Sequence, residues 1–131
     1  MDCIFCKIIN GDIPCYKIYE DDIVLAFLDI NPDCDGHTLI IPKKHIKDID
    51  EIDDNTLLHI NKIAKKLKLK LEKDLKCNGI SLLQNNGEIQ EVKHYHLHLK
   101  PYYSNKKSIE LIKHKENIND VEKIFDILKK D

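Results

Sequence analysis

Short runs of alternating or continuous apolar residues recur along the chain and predict β-strands. Side chains of a strand point alternately to opposite faces, so alternation indicates a half-buried strand and a short apolar run indicates a buried one. Turn-forming residues such as Asp21-Asp22 and Asn31-Pro32-Asp33 separate these runs. The predicted strands are Lys17–Glu20, Ile23–Leu28, Thr38–Ile41, Ile80–Gln84 and His94–Leu99.

A different spacing of apolar residues begins at Asp53 and continues to Cys77. Every third or fourth position there is apolar, which places those side chains on one face of an α-helix, opposite a face rich in Lys and Glu. Acidic residues at the start and Asn78-Gly79 after the end favour these bounds. The apolar face consists of Leu57, Ile60, Ala64, Leu67, Leu71 and Leu75.

Two shorter helical segments complete the predicted secondary structure. Lys7–Asn10 is expected to form a helical turn before Gly11. A C-terminal helix is predicted over Asp120–Lys130, with Asn119 as its N-cap and an apolar stripe of Val121, Ile124, Phe125 and Leu128. Short-connected strands with segregated helices predict the α+β class. We expect one domain over residues 1–131, with a core over 3–102 and a helical extension over 103–131.

Composition and charge narrow the classes of function. The chain has 131 residues and 42% of them are hydrophobic, enough for a core without disulfides. A formal net charge of −2, with both signs interspersed, gives no reason to expect nucleic acid or a membrane surface as partner. No apolar run approaches the ~18 residues of a membrane span, and no secretory signal is expected. Five cysteines, an odd number, are typical of a reducing compartment, so we expect a cytoplasmic protein.

Three histidines alternate with apolar residues in the last predicted strand. His94, His96 and His98 should share one face, and Tyr95, Leu97 and Leu99 should pack on the core from the other. Successive imidazoles are expected about 6.5–7 Å apart, from a rise of about 3.3 Å per residue. Three charged imidazoles would repel one another, so at least two should have a pKa below the usual value of about 6.5. Neutral imidazoles are nucleophiles and metal ligands, which indicates a functional site on this face.

Cys3 and Cys6 form a CxxC pair near the start of the chain. Such pairs commonly bind zinc together with two further Cys or His ligands. A thioredoxin-like redox role is disfavoured because no βαβ pattern surrounds the pair. Candidate distal ligands are His37, His45, His59, His94 and His114, of which His59 and His114 lie among charged residues expected on solvated faces.

The segment His94-Tyr95-His96-Leu97-His98-Leu99 resembles the His-x-His-x-His-x motif, with apolar x, of the histidine triad superfamily. Further matches occur in the order and spacing of that family, from Cys3 to about Tyr102. Small bacterial-type members with an N-terminal CxxC are the most similar. The matching segments are Cys3–Ile9, Ile13-Pro14, Tyr19–Asp22, Ala26–Pro32 and Gly36–His45.

This resemblance implies a nucleotide-binding α+β fold with an antiparallel sheet of about five strands, usually a homodimer. Members hydrolyse or transfer at the α-phosphate of nucleotides through a nucleotidyl-histidine intermediate. By motif position, His96 would be the nucleophile and His98 would contact the phosphate, with His37 nearby. Asp29 would accept hydrogen bonds from the ribose hydroxyls.

The resemblance also implies further binding residues. The apolar slot for a purine base would be formed by Phe5, Ile8, Phe27 and Ile30. Without the family resemblance, these four residues would be interpreted as ordinary core. Asn85 and Gln90 would face the phosphate or the leaving group. One structural zinc per chain would be held by Cys3, Cys6, His45 and His94.

Two residues depart from the family pattern, and the absence of arginine limits how phosphate can be bound. Ile89 replaces a usual glycine, and Glu91 replaces the Ser or Thr that normally assists the leaving group. The Glu91 carboxylate would disfavour a nearby phosphate, or could act as the acid that protonates a leaving amine. All 21 basic residues are lysines, so no guanidinium is available to grip phosphate in a bidentate manner.

These observations lead to one main hypothesis and two alternatives. The main hypothesis is a hydrolase of purine nucleoside 5′-phosphoramidates, such as adenosine phosphoramidate, adenylated lysine or aminoacyl-adenylate adducts. The enzymatic alternative is hydrolysis of dinucleoside polyphosphates, which the absence of arginine makes less favourable. The third is a nucleotide-binding adaptor or sensor with incidental catalysis, against which the presence of a nucleophile at His96 argues.

Overall fold

The structure, a computed structural model, describes residues 2–106 and 109–130. The parts of the expected 1–131 domain at residues 1, 107, 108 and 131 therefore lie outside the described residues. In chain order the elements are α1 (Ile4–Ile9), β1 (Lys17–Glu20), β2 (Val24–Leu28), β3 (Thr38–Pro42), α2 (Asp54–Leu75), β4 (Gly79–Gln84), β5 (Leu97–Tyr102) and α3 (Val121–Leu128). Short 3-10 turns occupy Gly87–Ile89 and Lys115–Asn117.

The five strands form one antiparallel sheet in the order β1-β2-β3-β5-β4. This confirms the predicted α+β class and the five-strand antiparallel sheet. The long helix α2 is capped by the Asp53 carboxylate, which accepts a hydrogen bond from the Thr56 backbone N–H. In α3, Asp120 is the N-cap residue instead of the expected Asn119, because its carboxylate accepts from the Glu122 N–H.

Both faces of the central strands are covered. One face packs against α2 in a core that includes Ile60, Ala64, Tyr95, Leu97 and Leu99. The other face packs against α1 and the N-terminal segment in a core of Cys3, Phe5, Leu25, Phe27, Leu39 and Ile41. This explains why β2 and β3 are continuous apolar runs rather than alternating ones.

The histidine strand begins later than the sequence indicates. The predicted strand His94–Leu99 is observed as β5 over Leu97–Tyr102, so His94 and His96 lie in the extended segment that leads into it. The reason is register, since Leu97 pairs with Gln84 at the last position of β4 and with Ile40 in β3. Tyr95, Leu97 and Leu99 do pack on the α2 side, as predicted.

The C-terminal helix α3 has the predicted apolar stripe, but none of its residues is buried. Val121, Phe125 and Leu128 are 77%, 59% and 75% exposed. Among the described residues, no helix is both long and apolar enough to cross a membrane.

Candidate active site and metal centre

The imidazole face of the histidine segment lies beneath α1. His94 and His96 are 0% and 5% exposed, so this part of the imidazole face is buried. The Phe5 ring of α1 covers them, with its centroid 5.8 Å from that of His94 and 5.1 Å from that of His96. The His96 and His98 rings are 4.9 Å apart, closer than the expected 6.5–7 Å, and both line the same cavity.

The orientation of His96 follows from one short hydrogen bond. Its Nδ1 lies 2.7 Å from the backbone oxygen of His94. A carbonyl oxygen can only accept, so Nδ1 carries the proton and donates it. Nε2 of His96 therefore keeps its lone pair, as a nucleophile or ligand atom requires.

A second chain of hydrogen bonds fixes the tautomers of His37 and His98. The Asp33 backbone N–H donates to His37 Nδ1 over 3.1 Å, so the proton of this neutral imidazole lies on Nε2. His37 Nε2 is 2.8 Å from His98 Nδ1 and donates to it. The remaining nitrogen of His98, Nε2, then carries a proton that can be donated to an oxygen in the adjacent cavity.

Burial keeps the imidazoles of His37 and His98 neutral. Burial lowers the pKa of His37 below its usual range, against the opposing effects of Asp29 and Asp33. Burial, with the nearby His96 and His37, lowers the pKa of His98 to about 4. At neutral pH the site therefore presents hydrogen-bond donors and a lone pair rather than two cations.

Two cavities meet at these histidines. The first, the apolar cavity, has a volume of about 180 Å³ and is lined by Ile4, Phe5, Ile8, Ile13, Pro14, Cys15, Phe27, Leu28, Asp29, Ile30, Leu39, Glu91, Val92, His96 and His98. The second, the polar cavity, has a volume of about 130 Å³ and is lined by Asp29, Asn31, Asp33, His37, Leu83, Asn85, Glu91, His96, His98 and Lys100. Together they reach the lower end of the ~300–1,000 Å³ range of small-molecule sites.

Nearly all the residues expected to bind substrate line one of these cavities. Phe5, Ile8, Phe27 and Ile30 line the apolar cavity, with the Phe5 and Phe27 rings edge to face at 5.8 Å. The exception is Gln90, which lines neither cavity. It is buried, and its Nε2 donates to the Lys47 carbonyl oxygen over 2.7 Å, away from the expected position.

Sequence reasoning missed Lys100 and the loop residues Asn31 and Asp33. Lys100 is two residues after His98 in β5 and shares its face, which was the available signal. Its ammonium group lies 2.8 Å from the Asp33 carboxylate, so the charge is already paired.

The two cysteines and two histidines named for a metal site lie together. Ligand atoms of Cys3, Cys6, His45 and His94 are all within 4.8 Å of one another. Three sulfur–nitrogen distances are 3.2, 3.4 and 3.6 Å. Bond lengths of about 2.3 Å to sulfur and 2.05 Å to nitrogen, at tetrahedral angles, separate S and N ligands by about 3.6 Å. These residues therefore fit a metal ion, and the cluster could bind one.

The hydrogen bond made by the other ring nitrogen of His94 also favours a role as a metal ligand. His94 Nε2 is 2.8 Å from the Pro42 carbonyl oxygen, to which it donates. Nδ1, the atom that faces the two sulfurs, is then left unprotonated. Burial lowers the pKa of His94 below its usual range, which favours the neutral form that a metal ligand requires. The distal candidates His59 and His114 lie elsewhere, His59 bound to Asp21 and His114 near Glu116.

The fold and this site define an α+β protein with two histidines, His96 and His98, between an apolar and a polar cavity, next to a Cys/His cluster. Comparison with known proteins gives the family: the model of the HIT domain matches residues 10–105. The chain belongs to the HIT domain family.

Individual relatives agree with this assignment. A HIT-like protein of Methanocaldococcus jannaschii is 50% identical over 103 residues, 77% of this chain and 79% of that protein. The adenosine 5′-monophosphoramidase of Schizosaccharomyces pombe is 45% identical over 103 residues, 77% of this chain and 74% of that protein.

Solved structures give the same result. The crystal structure of a HIT family protein from Bacillus anthracis is 42% identical with a TM-score of 0.84, covering 97% of this chain and 92% of that one. A Zn-bound histidine triad family protein from Mycobacterium smegmatis is 35% identical with a TM-score of 0.79, covering 83% and 81%.

Proposed function

We propose that this protein hydrolyses purine nucleoside 5′-phosphoramidates at the α-phosphate through a nucleotidyl intermediate on His96. The observation that carries the proposal is the hydrogen bond from His96 Nδ1 to the His94 carbonyl oxygen, because it leaves the Nε2 lone pair at the junction of the two cavities. The name of the Schizosaccharomyces pombe relative, an adenosine 5′-monophosphoramidase, supports the same reaction class.

In the first step His96 Nε2 attacks phosphorus and the P–N bond breaks. The electron pair goes to the amine nitrogen, which takes up a proton from solvent and leaves, while the new N–P bond makes the imidazole cationic. The His94 carbonyl stabilises that cation through the Nδ1 proton. In the second step water attacks phosphorus and loses a proton to solvent, the electron pair of the His96–phosphorus bond returns to Nε2, and the nucleoside monophosphate is released with neutral His96.

The other residues bind and orient the substrate. The His98 Nε2 proton is donated to a phosphoryl oxygen as charge builds up there. The half-buried Asp29 carboxylate accepts from the ribose hydroxyls, between the two cavities that it lines. The base occupies the apolar cavity beside Phe5 and Phe27, and Asn85 contacts the phosphate or leaving group from the polar cavity.

We further propose that the Cys/His cluster holds one structural Zn²⁺ per chain, with Cys3, Cys6, His45 and His94 as ligands. The fit of the four ligand atoms and the Zn-bound Mycobacterium smegmatis neighbour support this choice of metal. Bound there, zinc would tie α1 to the segment that carries His96 and would supply no chemistry to the reaction. Elemental analysis of protein purified without a polyhistidine tag should give about one zinc per chain, and its absence would remove the proposal.

A homodimer is proposed as the working form. The edge strand β4 leaves Leu82 and Leu83 48% and 40% exposed, and the apolar stripe of α3 is exposed as well. Exposed apolar surface of this kind is typical of an interface. Light scattering after gel filtration tests this, and the mass of a single chain at micromolar concentration would contradict it.

The activity is tested with a fluorogenic adenosine phosphoramidate. His96→Ala should lower turnover by at least about 10³-fold, because no nucleophile remains. His59→Ala is the matched control, since His59 lies at Asp21 and lines neither cavity. Adenylyl trapped on His96 after quenching in denaturant at alkaline pH, where the P–N bond survives, would support the intermediate, and equal rates for wild type and His96→Ala would refute it.

A further inference from the structure

Four residues line both cavities, and one of them carries a charge with no partner. The shared residues are Asp29, Glu91, His96 and His98. Asp29 accepts a hydrogen bond from the Asn31 N–H over 2.9 Å and lies 3.8 Å from His37 Nε2. The Glu91 side chain makes no hydrogen bond or ion pair with any residue that the structure describes. Its carboxylate is therefore available to whatever occupies the junction.

The backbone on both sides of Glu91 is held in place. The preceding Gln90 donates from its backbone N–H to the Gly87 carbonyl oxygen over 3.0 Å and from its side chain to the Lys47 carbonyl oxygen. The following Val92 packs against the core beneath α1. Moving the carboxylate away from the junction by a shift of the chain would break these contacts.

The polar cavity has an excess of negative charge. Its lining includes three carboxylates, those of Asp29, Asp33 and Glu91, and one ammonium group, that of Lys100, which is paired with Asp33. The imidazoles of His37 and His98 add no positive charge at neutral pH because burial lowers the pKa of each.

Another cation, Lys93, lines a neighbouring cavity together with Glu91. Its ammonium group donates to the Gly87 carbonyl oxygen over 2.7 Å and forms no ion pair with Glu91 within the described residues. If Asp29 binds the ribose, Glu91 is the remaining carboxylate at the junction of the two cavities that no described cation pairs.

We propose that Glu91 determines the leaving group, and that the preferred substrates are phosphoramidates whose amine carries a second, positively charged group. This rests on the proposed function. Diamines and basic amino acids linked through one nitrogen belong to this class. An ammonium group beyond the scissile nitrogen is attracted by Glu91, a neutral alkyl group is not, and a further phosphate in the same place is repelled.

Two isosteric substrates isolate this charge. The adenosine 5′-phosphoramidates of 1,3-diaminopropane and of butylamine differ only in an ammonium group in place of a methyl group. Charges about 6 Å apart near solvent give the cationic substrate about a three- to tenfold advantage in kcat/KM. In Glu91→Gln the ratio of the two kcat/KM values should fall towards one. Added salt should reduce the wild-type advantage as well.

Glu88→Gln is the matched control, because Glu88 is an exposed glutamate three residues away that lines neither cavity. It should keep the wild-type preference. An unchanged preference in Glu91→Gln, with both substrates turned over, would overturn the inference and leave the proposed function intact. Turnover of neither substrate by the wild type would overturn the proposed function.

A binding measurement tests the role of Glu91 independently of the proposed function, because it requires no turnover. The ratio of the dissociation constants of ADP and AMP should fall about three- to tenfold in Glu91→Gln, because the repulsion of the second phosphate is removed. An unchanged ratio would count against the role of Glu91 even if the protein catalyses nothing.

Discussion

The neutral state of His98 has a consequence for stability in acid. Burial, together with the nearby His96 and His37, lowers the pKa of His98 to about 4, whereas an unfolded chain gives histidine a pKa of about 6.5. Between these two pH values the unfolded chain binds a proton at this position and the folded chain does not. The free energy of unfolding therefore rises with pH across this window, and the stability is lost as the pH falls from about 6.5 to about 4.

The expected size follows from the two pKa values. A difference of about 2.5 units, at 1.36 kcal/mol per unit, amounts to about 3 kcal/mol. His98→Asn removes the titrating group, while the amide oxygen can still accept the hydrogen bond from His37 Nε2. Between about pH 7 and pH 4, the free energy of unfolding of the wild type should fall by about 3 kcal/mol more than that of the variant.

Urea unfolding followed by far-ultraviolet circular dichroism measures this difference, since the chain contains no tryptophan for fluorescence. Comparing two proteins removes the contributions that they share, such as those of His94 and of metal binding. His114→Asn, which removes an exposed imidazole, controls for the loss of a histidine as such. Parallel pH curves for wild type and His98→Asn would refute the burial argument.

Three further substitutions test the local structure. Gly36 and Gly87 both have positive φ, 83° and 79°, but an added Cβ would collide with a neighbour, Leu75, only at Gly36. Gly36→Ala should therefore lower the free energy of unfolding by about 1–3 kcal/mol, measured by urea unfolding. This loss should be larger than that of Gly87→Ala. Equal losses would exclude the collision. Asp53→Ala should lower the free energy of unfolding by about 0.5–2 kcal/mol through loss of the cap of α2, and thermal unfolding at an unchanged midpoint would contradict this. Cys6→Ser should bind less zinc than the wild type in elemental analysis, because one of the two proposed sulfur ligands is replaced by a hydroxyl.

The sequence predicted the elements of the fold because their patterns are local. The three-to-four spacing over α2 and the apolar runs of β2 and β3 reflect burial against neighbouring elements, which the helix and strand periods reveal directly. The predicted start of β5 was wrong because a strand extends only as far as the strands that pair with it. The pairing with Ile40 and Gln84 joins residues that are distant in the sequence. A position-by-position pattern contains no such information.

The sequence predicted only some features of the candidate site. Alternation placed His96 and His98 near one cavity, and the family resemblance supplied Phe5 and Asp29. No local pattern could place α1 over the imidazole face, since that packing joins residues about 90 positions apart, as the Cys3 and His94 contact does. The side chain of Gln90 was misplaced for the same reason, because its partner is a carbonyl group at Lys47.

The Cys/His cluster couples the two halves of the proposed site. His94 contributes its Nδ1 to the cluster and its carbonyl oxygen to the orientation of His96. Phe5 lies between Cys3 and Cys6 on the chain, and its ring contacts both His96 and the wall of the apolar cavity. Loss of the cluster in Cys6→Ser should therefore raise KM and lower kcat together, whereas His96→Ala should lower kcat alone. A Cys6→Ser protein that lacks metal but changes only one of the two constants would show that the base slot and the nucleophile are held independently.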